Sequence, residues 1–404
     1  MNKKIVAVIL TITFFSMLLT GCWDRKELNQ LGIAMAMGLD KGDDGKILLT
    51  SQIVRPAAME RQGGGKEPPY ELVISSGESI FEAIRNTVKE FDRRSFFSHT
   101  KVIVVGEDYA REGLGDTIDL VTRSHELRKT TWLIVASDCK ASEVLGVKHG
   151  LEKIQANYME GILKTQSIDS NSTVAKVIDF IKTMPGEGSN PVTGVFSLIN
   201  VKSVPTEGTE PEERKGLKLS GSALFKKDKL VGFLDNNEAL ALNILTHKFN
   251  RIPISLKVDL DNSQTDSVDV VIDIIKIKCS VKPSINKGNI HFNVSLKAEG
   301  NLTEVKDQID VTDLQIFDKI NYNFSEFLKY TTDKSIRTIQ KDMKTDVLGF
   351  GRAFELKYPK NWRKIKTQWN DEIFPNVSYT VKVDTRLNRT GLTLRPINAK
   401  KLDK

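Results

Sequence analysis

The chain alternates between two periods of apolar spacing, and their order predicts its elements. Leu31–Asp40 and Lys46–Val54 are apolar-rich segments flanking GDDG, whose Asp44-Gly45 is a hairpin signal, so two antiparallel strands are expected. Residues 57–69, with three glycines and two prolines, read as a flexible loop. Tyr70–Ser75 follows as a short strand, and Ile80, Phe81, Ile84, Val88 and Phe91 recur at helical spacing to form one apolar stripe. Lys101–Val105 and Thr131–Ala136 read as strands, 108–127 as helical, and about 140–147 and 173–184 as two further helices. Strands separated by helices predict a mixed α/β layer structure for this first unit.

From Pro191 the texture is strand-rich: VTGVFSLINVKSV, LKLSGSALF and KLVGFL precede a helix, NNEALALNIL. Residues 205–216 are either an interdomain linker or the exposed loop of a long hairpin, and the apolar strands directly flanking them favour the hairpin. Strands are expected at 252–260, 268–281 and 289–299. A long helical region then runs from Val311 to about Tyr358, with a kink or break in its polar gap at 330–335. Trp362, Ile365, Trp369 and Ile373 mark a final helix, read as packed on a sheet, between Pro359 and Pro375. Val377, Tyr379, Val381 and Val383 alternate with polar residues in a last strand that sets one face on a core and one in water.

The N-terminus changes the picture. Met1-Asn2-Lys3-Lys4 is a cationic head, and Ile5 to Thr20 is an unbroken apolar and hydroxylated run ending before the polar WDRKE, the layout of a secretory signal. Leu19-Thr20-Gly21-Cys22 resembles a bacterial lipobox, in which the cysteine thiol receives diacylglycerol and becomes the mature N-terminus. Several acyl chains on Cys22 make a stable anchor where one chain would be marginal. Net charge is +7, and losing Lys3 and Lys4 with the signal leaves +5, spread along the chain without a basic run. Nucleic-acid binding is therefore not indicated, whereas mild attraction to anionic headgroups is. The two other cysteines, Cys139 and Cys279, lie in apolar surroundings and read as unpaired, partly buried thiols.

No template for chemistry fits. The histidines, at 99, 125, 149, 247 and 291, are scattered, and Lys129 stands where a zincin helix starting at His125-Glu126 needs its second histidine. GGGK at 63–66 lacks the leading glycine and following hydroxyl of a phosphate-binding loop. Asp259, Asp261 and Ser263 begin like a calcium loop, but Gln264 and Val270 replace its glycine and bidentate glutamate. Gly349-Phe350-Gly351 reads as a flexible break. The expectation is no enzyme, no catalytic residue, no metal and no cofactor; ligand-binding residues cannot be named.

Cys22-Trp23-Asp24-Arg25-Lys26-Glu27-Leu28 after the lipobox resembles the mature start of the C subunit of Ger-type spore germinant receptors. Three further stretches resemble that family in order: FFSHTKVIVVGEDYAREGLGDTIDLVTRSHELRKTTWLIVA (96–136), GSALFKKDKLVGFLDNNEAL (221–240) and DVLGFGRAFELKYPKNW (346–362). The resemblance implies a lipoprotein on the outer face of the spore inner membrane, acting with two membrane-embedded partner subunits, of A and B type, in nutrient-triggered germination. It also implies a three-domain α+β body of mixed sheets and packed helices. The boundaries expected are a signal at 1–21, an N-terminal α/β domain at 22–190, a small strand-rich middle domain at 191–262 and a C-terminal α+β domain at 263–404. Two rivals stand beside this reading. A transporter's solute-binding lipoprotein needs two similar α/β lobes, which the strand-rich second half does not supply. A cell-wall or cortex hydrolase needs a carboxylate or His/Cys site.

Overall fold

The computed structural model describes residues 31–55, 69–148, 150–165, 170–202, 213–259, 267–305, 311 and 313–389, with helical positions at 4–7, 9, 11 and 13. Cys22, most of the leader and residues 57–68 of the glycine-rich loop lie outside the described residues. Two sheets organise the rest.

The expected hairpin is formed by β1 (Leu31–Lys41) and β2 (Ile47–Val54), with Lys41 opposite Ile47. Gly45 sits in its turn at φ +81°, a backbone conformation glycine reaches without a side-chain clash. β3 (Tyr70–Gly77) pairs antiparallel with β2. β4 (Arg94–Phe96) and β5 (Val102–Gly106) run parallel to β1, β6 (Trp132–Ala136) parallel to β5, and the two-residue β7 (Ala175–Lys176) antiparallel to β6. β8 (Val192–Lys202), β9 (Glu213–Lys226) and β10 (Lys229–Leu234) complete a ten-stranded mixed sheet, ordered β10-β9-β8-β6-β5-β1-β2-β3 with β4 beside β1 and β7 beside β6.

Both faces of this sheet are covered, which explains why β5 is apolar at successive positions. On one face α1 (Ile80–Glu90), α2 (Glu107–Glu112) and α3 (Gly115–Arg123) pack with Met37, Ile103, Val105 and Val135. On the other, α4 (Ala141–Gly146) and α5 (Gln155–Thr165) enclose Ala36, Val102, Val104 and Ile134. α6 (Val177–Thr183) returns to the first face through Val177 and Phe180.

Several expectations are corrected here. The helix over 108–127 is two helices, broken at Gly113, whose φ of +133° no helix continues through. The stripe on α1 is offset: Ile80, Ala83 and Thr87 are buried, while Phe81 and Val88 are 61 % and 57 % exposed. Ser75 on β3 decides this, because its hydroxyl bonds the Ala83 carbonyl (2.8 Å) and the Thr87 hydroxyl (3.2 Å), drawing the small, polar face of the helix onto the sheet. The helix at 173–184 opens as strand β7, and α5 and β4 are elements the periodicity reading lacks. The hairpin reading of 205–216 holds: β8 and β9 pair antiparallel out to Lys202 opposite Glu213, and only their connection lies outside the described residues.

α7 (Asn236–Leu245) links the halves and is buried along nearly its whole length. β11 (Ile252–Asp259), β12 (Ser267–Asn286) and β13 (Asn289–Val305) form an antiparallel run, with Ile252, Ile254, Leu256 and Val258 alternating inward. β14 (Ser378–Arg389) joins β13 in parallel, which requires a crossover. The crossover consists of α8 (Leu314–Arg337), α9 (Phe350–Lys357), α10 (Pro359–Ile365) and irregular turns to Asn376. α8 does not break at 330–335. Thr331, Thr332 and Ser335 are buried small polar residues, Ser335 donating to the Glu238 carbonyl (3.0 Å); the helix ends in a π-turn at Thr338–Asp342, and the break in the expected helical region falls at 343–349. Trp362 and Trp369 belong to an aromatic core with Phe292, Phe350, Phe354 and Phe374. The fold is α+β, with two sheets and packed helices. Strands on both sides of residue 190 share one sheet through the β6–β8 pairing.

Candidate functional site

The residues resembling known signatures gather at three places. At the first, the C-terminal stretch closes a carboxylate nest. Asp346 is fully buried; its Oδ1 accepts the backbone N–H groups of Leu348 (3.1 Å), Gly349 (2.9 Å) and Phe350 (3.2 Å). Its Oδ2 accepts those of Gly351 (2.6 Å) and the Trp369 indole (2.8 Å). Burial pushes this carboxyl up to about 6 against the pull of those donors, so it is ionised at neutral pH. Gly349, at φ +75°, turns the chain into α9, and a Cβ at Gly351 would lie 2.4 Å from the Gly188 Cα. The Gly349-Phe350-Gly351 stretch is thus a fixed turn into a helix; the expected flexible break is replaced by hydrogen bonding.

The nest also locks the two halves together. Asn190, on the loop before β8, donates its backbone N–H to the Asp346 carbonyl (2.7 Å) and its amide to Asn370 (3.0 Å), while its own Oδ1 accepts from Lys227 N (2.9 Å). Arg352 N donates to the Gly188 carbonyl (3.1 Å), and the Thr345 hydroxyl to that of Phe225 (2.9 Å). Lys226 pairs with Asp371 across the same seam.

The middle stretch makes the second joint. A Cβ at Gly221 would lie 2.2 Å from the Leu234 carbonyl, so only glycine fits where β9 and β10 close. Asp235 and Glu238 form a reciprocal cap on α7, accepting each other's backbone N–H (2.8 and 3.1 Å). Glu238 then accepts the Thr338 hydroxyl (2.8 Å), and Lys334 bridges to Asp235 (2.8 Å), fixing α7 against α8.

The third place is the end of the first sheet where β1 begins. Residues 94, 95, 97 and 124–127 border a groove of about 1120 Å³ between α1 and α3, with the exposed Phe81 and Val88 on one wall and Leu120 on the other. Beside it, residues 98–101, 128 and 130–132 line a polar pocket of about 400 Å³. Among the described residues no three His, Cys, Asp or Glu side chains cluster as metal ligands. Cys139 and Cys279 are free and half-buried, and burial pushes both thiols up to about 11, leaving them protonated and weakly nucleophilic. Of the histidines with described side chains, His291 is tied to Ser378 and Thr380 (2.8 and 3.1 Å) on the second sheet, far along the chain from His99 and His125 at the end of the first. No helix among the described residues is long and apolar enough to cross a membrane. None of the joints could be named from spacing, since a buried carboxylate and its donors are far apart in sequence.

A two-sheet body interlocked at two of the three ordered signatures defines a class, and comparison with known proteins gives the same class. Residues 24–198 match the family described as spore germination protein N-terminal domain, and residues 220–391 that described as spore germination B3/GerAC like, C-terminal. The chain belongs to this spore germination protein family. It is 28 % identical to spore germination protein KC of Bacillus subtilis (strain 168) over 98 % of each chain. It is 26 % identical to spore germination protein B3 of the same organism, over 94 % of this chain and 97 % of that one. The crystal structure of the GerBC protein shares the fold, with a TM-score of 0.53 at 18 % identity over 90 % of this chain and 99 % of that chain.

Proposed function

We propose that this protein is the lipid-anchored subunit of a spore nutrient germinant receptor, needed for receptor assembly and the germination response. The observation that carries the reading is the end-to-end relationship to spore germination proteins, 98 % of the chain against 98 % of one relative. In this reading Cys22 carries diacylglycerol and an amide-linked acyl chain such as palmitate, and holds the body on the outer face of the spore inner membrane. Two integral membrane subunits of A and B type are its partners, and its work is assembly and coupling, without bond chemistry, cofactor or nucleic acid. Confinement to a membrane face raises the body's effective concentration near those partners, so a modest interface stays occupied.

Cys22→Ala tests the anchor. The variant should leave the membrane pellet and co-isolate poorly with its multi-span partners, while its unfolding transition is unchanged; pelleting as tight as wild type would mean that acylation is not what holds the protein. The division of the body at residues 190 and 262 belongs with this proposal. β6 pairs with β8 across residue 190 and β11 with β12 across residue 262, so separating units at either place costs a strand pairing.

A further inference from the structure

β1, β5 and β6 are parallel, and their first residues lie at one end of the sheet. Only residues 23–30 separate Leu31, the first residue of β1, from Cys22, a tether that spans at most ~32 Å even fully extended. The pocket lined by residues 98–101, 128 and 130–132 lies at this same end. Its walls carry Lys101, Arg128, Lys164 and Lys176, with Glu160 the single carboxylate among the lining residues.

That carboxylate is already engaged twice, by Lys101 at 2.7 Å and Lys164 at 2.9 Å. Burial pushes the Glu160 carboxyl up, and those two ammonium groups more than offset it, so its charge is fully committed. Beyond the Lys101–Glu160–Lys164 cluster, Arg128 and Lys176 add two positive charges around a cavity of about 400 Å³. Lys176 lies over the Trp132 ring, 4.9 Å from its centroid, which holds the ammonium in place without neutralising it. The floor is firm: the Thr131 hydroxyl donates to the Thr100 carbonyl (3.1 Å), and the Thr100 hydroxyl to that of Ala34 (3.2 Å).

We infer that this pocket binds the phosphate of an anionic lipid headgroup and seats the body on the bilayer with the β1 end down. The orientation rests on the proposed anchor at Cys22; the pocket's chemistry does not. A firm cavity in which Arg128 and Lys176 stand outside the Glu160 cluster suits a phosphoester anion, and the short tether keeps it where headgroups are the most abundant such anions. Attraction of this kind acts only within about 8 Å at physiological salt, so the face must sit on the surface to use it.

The test uses the full-length chain in mixed micelles of an uncharged detergent. Phosphatidylglycerol, phosphatidylcholine or inorganic phosphate is titrated in, and Trp132 emission is isolated by difference against Trp132→Phe. A saturable change with phosphatidylglycerol, little with phosphatidylcholine, and none with inorganic phosphate at matched concentration is expected. The double variant Arg128→Gln/Lys176→Gln, shown to keep the wild-type unfolding midpoint, should need roughly 30-fold more phosphatidylglycerol, the joint effect of two cations at a membrane surface. No response to phosphatidylglycerol, or one that the double variant retains in full, would overturn the assignment. Equal responses to phosphatidylglycerol and free phosphate would overturn the lipid as the source. Acylation is read separately from the intact mass, so an unmodified Cys22 would defeat the anchor while leaving the titration to be judged alone.

Discussion

Replacing Asp346 should damage the junction between the halves more than any surface change. Alanine removes the acceptor of four backbone N–H groups and the Trp369 indole, all directed at one buried carboxylate. A buried donor left without a partner costs about 1–3 kcal/mol. Five such groups would exceed the whole stability of many domains, but local relaxation and water entry recover part. The expected loss is therefore about 4 kcal/mol, within the roughly 3–5 kcal/mol found when a buried charged interaction loses one partner. Asparagine keeps one oxygen; placing it on the three-donor side leaves its amide facing Gly351 N–H and the indole, an expected cost of about 2–4 kcal/mol. Urea unfolding of the full chain in mild detergent, followed by tryptophan fluorescence, reads both, and Trp369 reports from the nest itself. A loss below about 1 kcal/mol for Asp346→Ala, or an Asp346→Asn protein matching wild type, would refute the idea that the nest holds the junction.

Gly351→Ala should cost about 1–3 kcal/mol by overpacking, because its Cβ would meet the Gly188 Cα and the Trp369 indole nitrogen at 2.4 and 2.7 Å; a neutral result in the same unfolding assay would mean that the seam is loosely packed. Fragments ending at residue 190, stripped of β8 to β10, or at residue 262, which leaves β11 without β12 and α7 without its core, should both aggregate; a cooperative 22–190 fragment would establish the middle unit as separate.

The elements were legible where one physical effect dominated. Asp44-Gly45 announced the first hairpin, and the unbroken apolar run of β5 announced a doubly covered strand. The reading failed where small or polar side chains do the packing. Ala83 and Thr87 face the sheet because Ser75 reaches them, and an apolar count assigns that role to Phe81 and Val88. Thr331, Thr332 and Ser335 look like a break in α8 until α7 is seen against them. α5 had a usable signal, Ala156, Met159 and Leu163 at spacings of three and four, all buried. The candidate sites were least legible. Asp346 meets Trp369 and, through its carbonyl, Asn190, and the pocket at the β1 end draws on Lys101, Arg128, Lys164 and Lys176, which the β5–β6 register, the antiparallel β7 and the packing of α5 bring together. The resemblance located the segments that matter without saying what they do; the geometry shows the middle and C-terminal ones to be joints and the first to border the groove and pocket.

The central claim is that this protein serves nutrient-triggered germination as a receptor subunit. The most direct measurement is the germination of spores from a strain lacking it, exposed to a panel of nutrients and, separately, to a trigger that bypasses nutrient receptors. The account predicts a poor response to one class of nutrients with the bypass route intact. A normal response to every nutrient, with no related receptor present to substitute, would contradict it, as would an equal defect in the bypass route, which belongs to cortex hydrolysis or another downstream step.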